Sequence, residues 1–492
     1  MSFYIYDIIF LVLFTLGVVW FLYTRKHNLK REGIMYLYRT QVGIRFIEYV
    51  GTRYKKTISF FGFLGIVVGY LLMGVMVYML YKIIYLYLFV PELVRAIKVP
   101  PFLPLVPYIP EAFNIDFLPP FYFTYWIVSI AVIALFHEFA HGIVARRYNI
   151  KILTTGFGFL GPLLAAFVEP DEKQMEEKPK YQQLAVLSAG VFTNFILAII
   201  FLLLLSVFFV VSYSPAGALF TTYSPGVVEI AGVSMIGGMV VEDNSREGII
   251  RLIDNNELTD DIVLGSNGHS INYTKIIAND KTYYTTLDKL QLQLETHKED
   301  VLLLFEDLPA INVGMRGVIV GINDVEIGDH NDLILTMNEF DVGDEIVVKT
   351  DYNGEILEYY LELGSDSNGR AVMGIGYNPD RRLISGVTDM FNFFKVEGTN
   401  YEPRYNAEFI IFIYNLIWWL ALINLSVAIF NMVPAAIFDG GRFFYLTVWG
   451  LTGSEKFARF AFKASSYLSL LALIALIFGY GMAYGWFSWL GL

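Results

Sequence analysis

The stretch Ala131–Arg147, AVIALFHEFAHGIVARR, decides how this chain is read. It is apolar enough for a membrane-crossing helix, yet its centre holds His137, Glu138 and His141. Ionisable groups are expensive in hydrocarbon, and those found inside a span usually mark a functional site. Residues four apart on a helix lie on one face, one turn above the other, so the two imidazoles can reach one point. Two converging imidazoles are a metal donor pair, and zinc held there lowers the pKa of a bound water toward neutrality. Glu138, adjacent to the pair, is placed to act as general base on that water. The bland alternative bonds both histidines to neighbouring helices and pairs Glu138 with Arg146 or Arg147.

The rest of the chain supplies the membrane. Of 492 residues 55% are hydrophobic and 17% charged, and the mean hydropathy of +0.52 indicates a polytopic membrane protein. Six stretches are long and apolar enough to cross a bilayer, at about 3–23, 58–88, 122–145, 182–212, 408–433 and 462–489. The first is followed by TRKHNLKR instead of a small-residue cleavage site, so it reads as a retained anchor. Cysteine is absent, which excludes disulfides, thiolate ligands and cysteine nucleophiles.

Charge orients the spans. The connection 24–56 carries nine Lys/Arg against two acids, whereas 89–121 holds only Arg95 and Lys98. Arg146, Arg147, Lys151, Lys173, Lys178 and Lys180 follow the third span, and Arg442, Lys456, Arg459 and Lys463 precede the last. The positive-inside rule then gives one topology, with both termini and residues 213–407 outside the cytoplasm. Residues 213–407 hold 13 Lys/Arg and 32 Asp/Glu, a net of −19, which leaves +7 for the remainder. That acidity solvates an extracytoplasmic domain, and no nucleic-acid partner is expected. Strand-like runs occur at 317–323, 344–350 and 355–363, with a type I′ hairpin turn expected at Tyr352-Asn353-Gly354-Glu355.

A catalytic zinc takes three protein ligands and keeps one position open. His27, His269, His297 and His330 all lie in the basic loop or the acidic domain. Among carboxylates near the membrane, Asp7 and Glu408 belong to the outer face, while His137 and His141 lie in the cytoplasmic half of their span. Asp439 follows the fifth span at its cytoplasmic end, so depth makes it the expected third ligand, with Glu169 as runner-up. Its surroundings, NLSVAIFNMVPAAIFDGGR (Asn424–Arg442), include a helix-breaking Pro434 and the pair Gly440-Gly441, which permits close backbone approach. The amide of Asn431 is able to bond extended backbone.

These residues together resemble the site-2 protease family of intramembrane zinc metalloproteases. The resemblance rests on His137-Glu138-x-x-His141, on LSAGVFTNF with Ala189, Gly190 and Asn194, and on Asn431, Pro434 and Asp439-Gly440. GFGFLGPLLAAFVEPDE (156–172) is similar to the family's membrane-associated β-hairpin. Val191, Ala436 and Phe438 depart from the family's usual Pro, Pro and Leu, and none of them is a ligand. Residues 308–327 resemble part of a PDZ module, a type of domain that takes an extended peptide along a sheet edge. Residues 213–300 read as either a divergent second module or a family-specific insertion. Asn272-Tyr273-Thr274 is an N-glycosylation sequon on the expected side.

The expected fold is therefore a polytopic α-helical membrane protein of about six spans with an inserted α/β or mainly β PDZ-like domain. Its parts are 1–120 (two N-terminal spans), 121–212 (first half of the catalytic core), 213–403 (extracytoplasmic domain, PDZ-like over about 300–365) and 404–492 (second half of the core). The resemblance implies one zinc ion on His137, His141 and Asp439, with Glu138 as general base. Asn194, Asn431 and Pro434 would hold an unwound substrate. The implied substrates are transmembrane proteins in the lipid bilayer, cut within or near their spans toward the cytoplasmic side, with a peptide or C-terminus bound by the PDZ-like domain. An ion transporter would need more charged residues along one path through the other spans. An inactive, membrane-bound peptide receptor would have lost the glutamate or a ligand.

Overall fold

Uninterrupted runs of Leu, Ile, Val and Phe satisfy their backbone internally only as helices when water is absent, and the six apolar stretches fold in that way. In the computed structural model the longer helices of the membrane-spanning body are α1 Phe3–Thr24, α2 Ile44–Arg53, α3 Lys55–Phe89, α4 Phe123–Arg147, α5 Lys180–Ser212, α6 Ala407–Phe430, α7 Asp439–Thr452 and α8 Glu455–Ala483. The structure describes residues 3–32, 35–90, 106–112, 115, 118–160, 163–255, 262–264, 271–296, 299–377 and 385–483. All but α2 and α7 are long and apolar enough to cross a membrane, so the chain is a multi-pass membrane protein. Two compact bodies result, Met1–Phe209 with Glu408–Leu492, and Val210–Ala407.

The second span of the sequence, α3, approaches its neighbours through glycines. A Cβ on Gly62 would stand 3.4 Å from Ala185, one on Gly65 3.2 Å from Ser188, and one on Gly69 3.3 Å from Phe443. Small residues at such a seam let helix backbones close on one another where no hydrophobic force drives association. Farther along α3, Met76 packs with Val433 and Ala435 of the loop between α6 and α7.

α1 is mostly exposed along its length, but Asp7 within it is only 1% exposed. Its carboxylate accepts the Phe123 N–H at 2.7 Å and the Thr124 N–H at 2.8 Å, and it also bonds the hydroxyls of Thr124 and Tyr108. Tyr122, which precedes α4, provides no side-chain cap of its own. Asp7 thus satisfies the first amides of α4 from another helix.

The 156–172 segment forms a hairpin, β3 (Ile152–Leu160) with β4 (Leu163–Pro170). Two further strands extend it, β1 (Leu29–Glu32) and β2 (Met35–Thr40), to give an antiparallel four-stranded sheet with the longer hairpin at one side. The basic charge of 24–56 hid these two strands, because LKRE and MYLYRT are short and show no polar–apolar alternation.

In the second body one sheet runs, in order, Glu355–Glu362, Glu345–Tyr352, Val318–Ile322, Tyr213–Ala218 and Thr399–Pro403. Asn353 (φ 57°) and Gly354 (φ 86°) make the left-handed pair that a type I′ hairpin needs. Its core includes Ile319, Ile322, Val348 and Tyr359, all fully buried. The described residues between 225 and 306 form a second α/β lobe with another sheet and the helices Arg246–Asn255 and Leu287–Thr296. Ile249, Ile276, Leu290 and Leu302 fill its separate core, so the unclear 213–300 segment is largely a lobe in its own right. Asn272 lies exposed on one of its strands.

Candidate metal centre

His137 and His141 sit one turn apart on α4, and their Nε2 atoms are 3.1 Å from each other. Asp439, the first residue of α7, brings Oδ2 to 3.4 Å from the first and 3.5 Å from the second. Among the described residues these three form a cluster able to hold a metal ion. A tetrahedral zinc with ligands at about 2.0–2.1 Å needs ligand atoms about 3.3–3.4 Å apart, and the three atoms are already near that spacing. Two nitrogens and one carboxylate oxygen are also a donor set that zinc accepts.

The fold provides this convergence at two places. Gly190 on α5 faces the histidines, where a Cβ would fall 2.4 Å from His141 Nε2 and 2.6 Å from His137 Nε2. Gly440 and Gly441 let α7 start directly against the α6–α7 loop: a Cβ on the first would stand 2.4 Å from the Met432 carbonyl carbon, and one on the second 2.2 Å from the Ala435 oxygen. The Gly440 N–H donates to the Asn431 carbonyl at 2.7 Å, which ties the loop to the residue after Asp439. Pro434 is half-buried in the irregular loop, while Ile437, two residues before Asp439, is 88% exposed.

Glu138 does not pair with either arginine. Its Oε2 accepts the Val168 N–H of β4 at 3.1 Å, while Arg146 lies 3.8 Å from Glu48 and Arg147 bonds Lys55 O and Ser59 Oγ. The bland alternative for this helix therefore fails at Glu138. The runner-up ligand is also displaced. Glu169 bonds Thr154 Oγ1 at 2.7 Å and Arg39 Nε at 3.2 Å, and the Thr154 hydroxyl, with Arg39, holds its carboxyl below the ordinary carboxylate range.

Each histidine has a partner on its other nitrogen. His141 Nδ1 is 2.7 Å from Val186 O, and His137 Nδ1 is 3.0 Å from Asn194 Nδ2. Asn194 is fully buried, and its Oδ1 has no partner. Sequence reasoning missed the buttress built by the two N-terminal spans, Asp7 on the start of α4 and Met76 behind the Asp439 loop. An acid in an otherwise apolar span was the available signal for Asp7.

Helices apolar enough to cross a membrane thus gather two histidines and an aspartate able to hold a metal ion, next to a glutamate. The chain matches the model of Peptidase family M50 over residues 125–476, and it belongs to that family, the site-2 proteases. No curated protein sequence matches the chain.

Proposed function

We propose that the chain is an intramembrane zinc metalloendopeptidase that cuts peptide bonds within or near transmembrane segments of membrane-protein substrates, as part of regulated intramembrane proteolysis. The cluster of His137, His141 and Asp439 beside Glu138, at the heart of apolar helices, carries this reading. Zinc held by these three residues would polarise a water and lower its pKa. Glu138 would take the proton of that water and later deliver it to the departing amine, so that one carboxylate serves as base and then acid. The Val168 N–H holds Oε2, which leaves Oε1 free of protein partners among the described residues and available for the proton transfer. A substrate helix hides its backbone in its own hydrogen bonds, so it must unwind before attack. Asn431 and Pro434, on the irregular loop before Asp439, would hold the opened segment.

The charge distribution supports a site toward the cytoplasmic side, with both termini and residues 213–407 outside. The second body contains a cleft of about 860 Å³ whose apolar lining includes Leu219, Phe220, Leu333, Ile334, Met337 and Ile375. Among the described residues the short strand Ile375–Gly376 pairs on one side only, with Thr222–Tyr223. An unpaired strand edge beside the apolar face of helix His330–Met337 suits an extended peptide or C-terminus, the PDZ-like mode of binding. We assign this cleft to reading substrates before they reach the membrane site.

Removal of the metal tests the reaction class. In liposomes with a single-span substrate, chelation should abolish cleavage and added zinc should restore it. Cleavage that persists after the zinc content has fallen to zero would refute the metalloprotease reading.

A further inference from the structure

His137 directs Nε2 at the cluster, 3.4 Å from Asp439 Oδ2 and 3.1 Å from His141 Nε2. A neutral imidazole that gives the lone pair of one nitrogen to a metal carries its proton on the other. Nδ1 of each histidine is then a donor and needs an acceptor. His141 has one in the Val186 carbonyl, 2.7 Å away, which can only accept. The corresponding neighbour of His137 is the Asn194 amide, with Nδ2 3.0 Å from the ring.

The two ends of an asparagine amide have nearly the same shape, so the hydrogen-bond network decides which end points where. As placed, Nδ2 faces His137 and Oδ1 is buried without a partner. Turned over, Oδ1 accepts from the ring and Nδ2 takes the unpartnered position. Either orientation leaves one end of the amide without a protein partner, so the imidazole decides. Against a protonated Nδ1, the first orientation sets two donors face to face and only the second makes a bond.

We infer that Asn194 is a positioning residue whose Oδ1 accepts Nδ1–H of His137 and fixes that ring's tautomer and plane. Val186 O does the same for His141. The two acceptors are eight residues apart on α5, about two turns, and Gly190 lies midway between them, where its missing Cβ admits both rings. One helix thus holds both imidazoles from behind. The inference rests on the metal reading above, and it gives Asn194 a role distinct from contact with substrate.

Zinc affinity tests it without any substrate, by competition with a chromophoric chelator on protein purified in detergent. Asn194→Leu keeps the side-chain size and removes the acceptor, and it should weaken zinc binding about 10- to 100-fold. Asn194→Asp keeps an acceptor and should bind within about threefold of wild type or more tightly. Wild-type zinc affinity in N194L would overturn the inference, because a residue that only contacts substrate predicts that result. Loss of affinity in N194D would overturn it as well, since an amide that donates to the ring cannot be replaced by a carboxylate. If N194L fails to fold, Asn194→Ala removes the acceptor with a smaller side chain and is read in the same way, wild-type zinc affinity again overturning the inference. A wild-type protein that binds zinc, shows this pattern and cuts no substrate would support the positioning role while sinking the protease reading.

Discussion

Asp7 accepts the backbone N–H of Thr124 at 2.8 Å, so a carboxylate in the first span caps the helix that carries His137 and His141. It takes the Phe123 amide as well, at 2.7 Å. Asp7→Leu would strand both donors, and a buried unsatisfied donor costs about 1–3 kcal/mol. The expected outcome is a substantial fall in the thermal unfolding temperature in detergent and a weaker hold on zinc. Asp7→Asn, which keeps an acceptor, should lose less. Equal stability of Asp7→Leu and wild type would show that α1 is an accessory to the core and no part of it.

The surroundings of Asp439 and Glu169, the two carboxylates the sequence offers as third ligand, separate them. Asp439→Ala removes an atom 3.4 and 3.5 Å from the two histidine nitrogens and should abolish stoichiometric zinc. Glu169→Gln should keep full zinc content, because Glu169 is engaged with Thr154 and Arg39 in the hairpin sheet. Metal analysis of both purified variants checks this, and the reverse pattern would move the ligand to Glu169.

Ile334 lines the cleft of the second body and is 48% exposed. Ile334→Glu puts a charge on the apolar helix face without disturbing a buried core. It should lower the binding of extended apolar peptides tenfold or so, by the loss of about 1.4 kcal/mol, and leave zinc content unchanged. Titration of the isolated peptide against full-length protein gives the answer. Unchanged affinity would remove the cleft from substrate reading.

Much of this architecture was legible in the sequence, because hydrocarbon imposes a simple rule. The apolar runs became α1, α3, α4, α5, α6 and α8, and the Asn353-Gly354 turn formed as its residues require. The convergence of Asp439 on His137 and His141 followed from matching depths along the spans. What escaped notice depends on contacts between distant segments. The strands at 29–32 and 35–40 acquire their identity from pairing with β3, and nothing local distinguishes them from a basic loop. α7 is too short to announce itself as a span, and Gly440-Gly441 read only as a place of close backbone approach, whereas a helix begins at Asp439. Asp7, by sequence only a carboxylate near the outer face, caps another helix.

The central claim is that Glu138 performs the proton transfer of peptide hydrolysis at a metal held by its neighbours. Glu138→Gln is nearly isosteric and leaves His137, His141 and Asp439 in place, so zinc content should equal that of wild type. Cleavage of a single-span substrate in liposomes should then fall at least 100-fold, within the usual worth of a general base. Cleavage by the zinc-loaded Glu138→Gln protein at the wild-type rate would contradict the account.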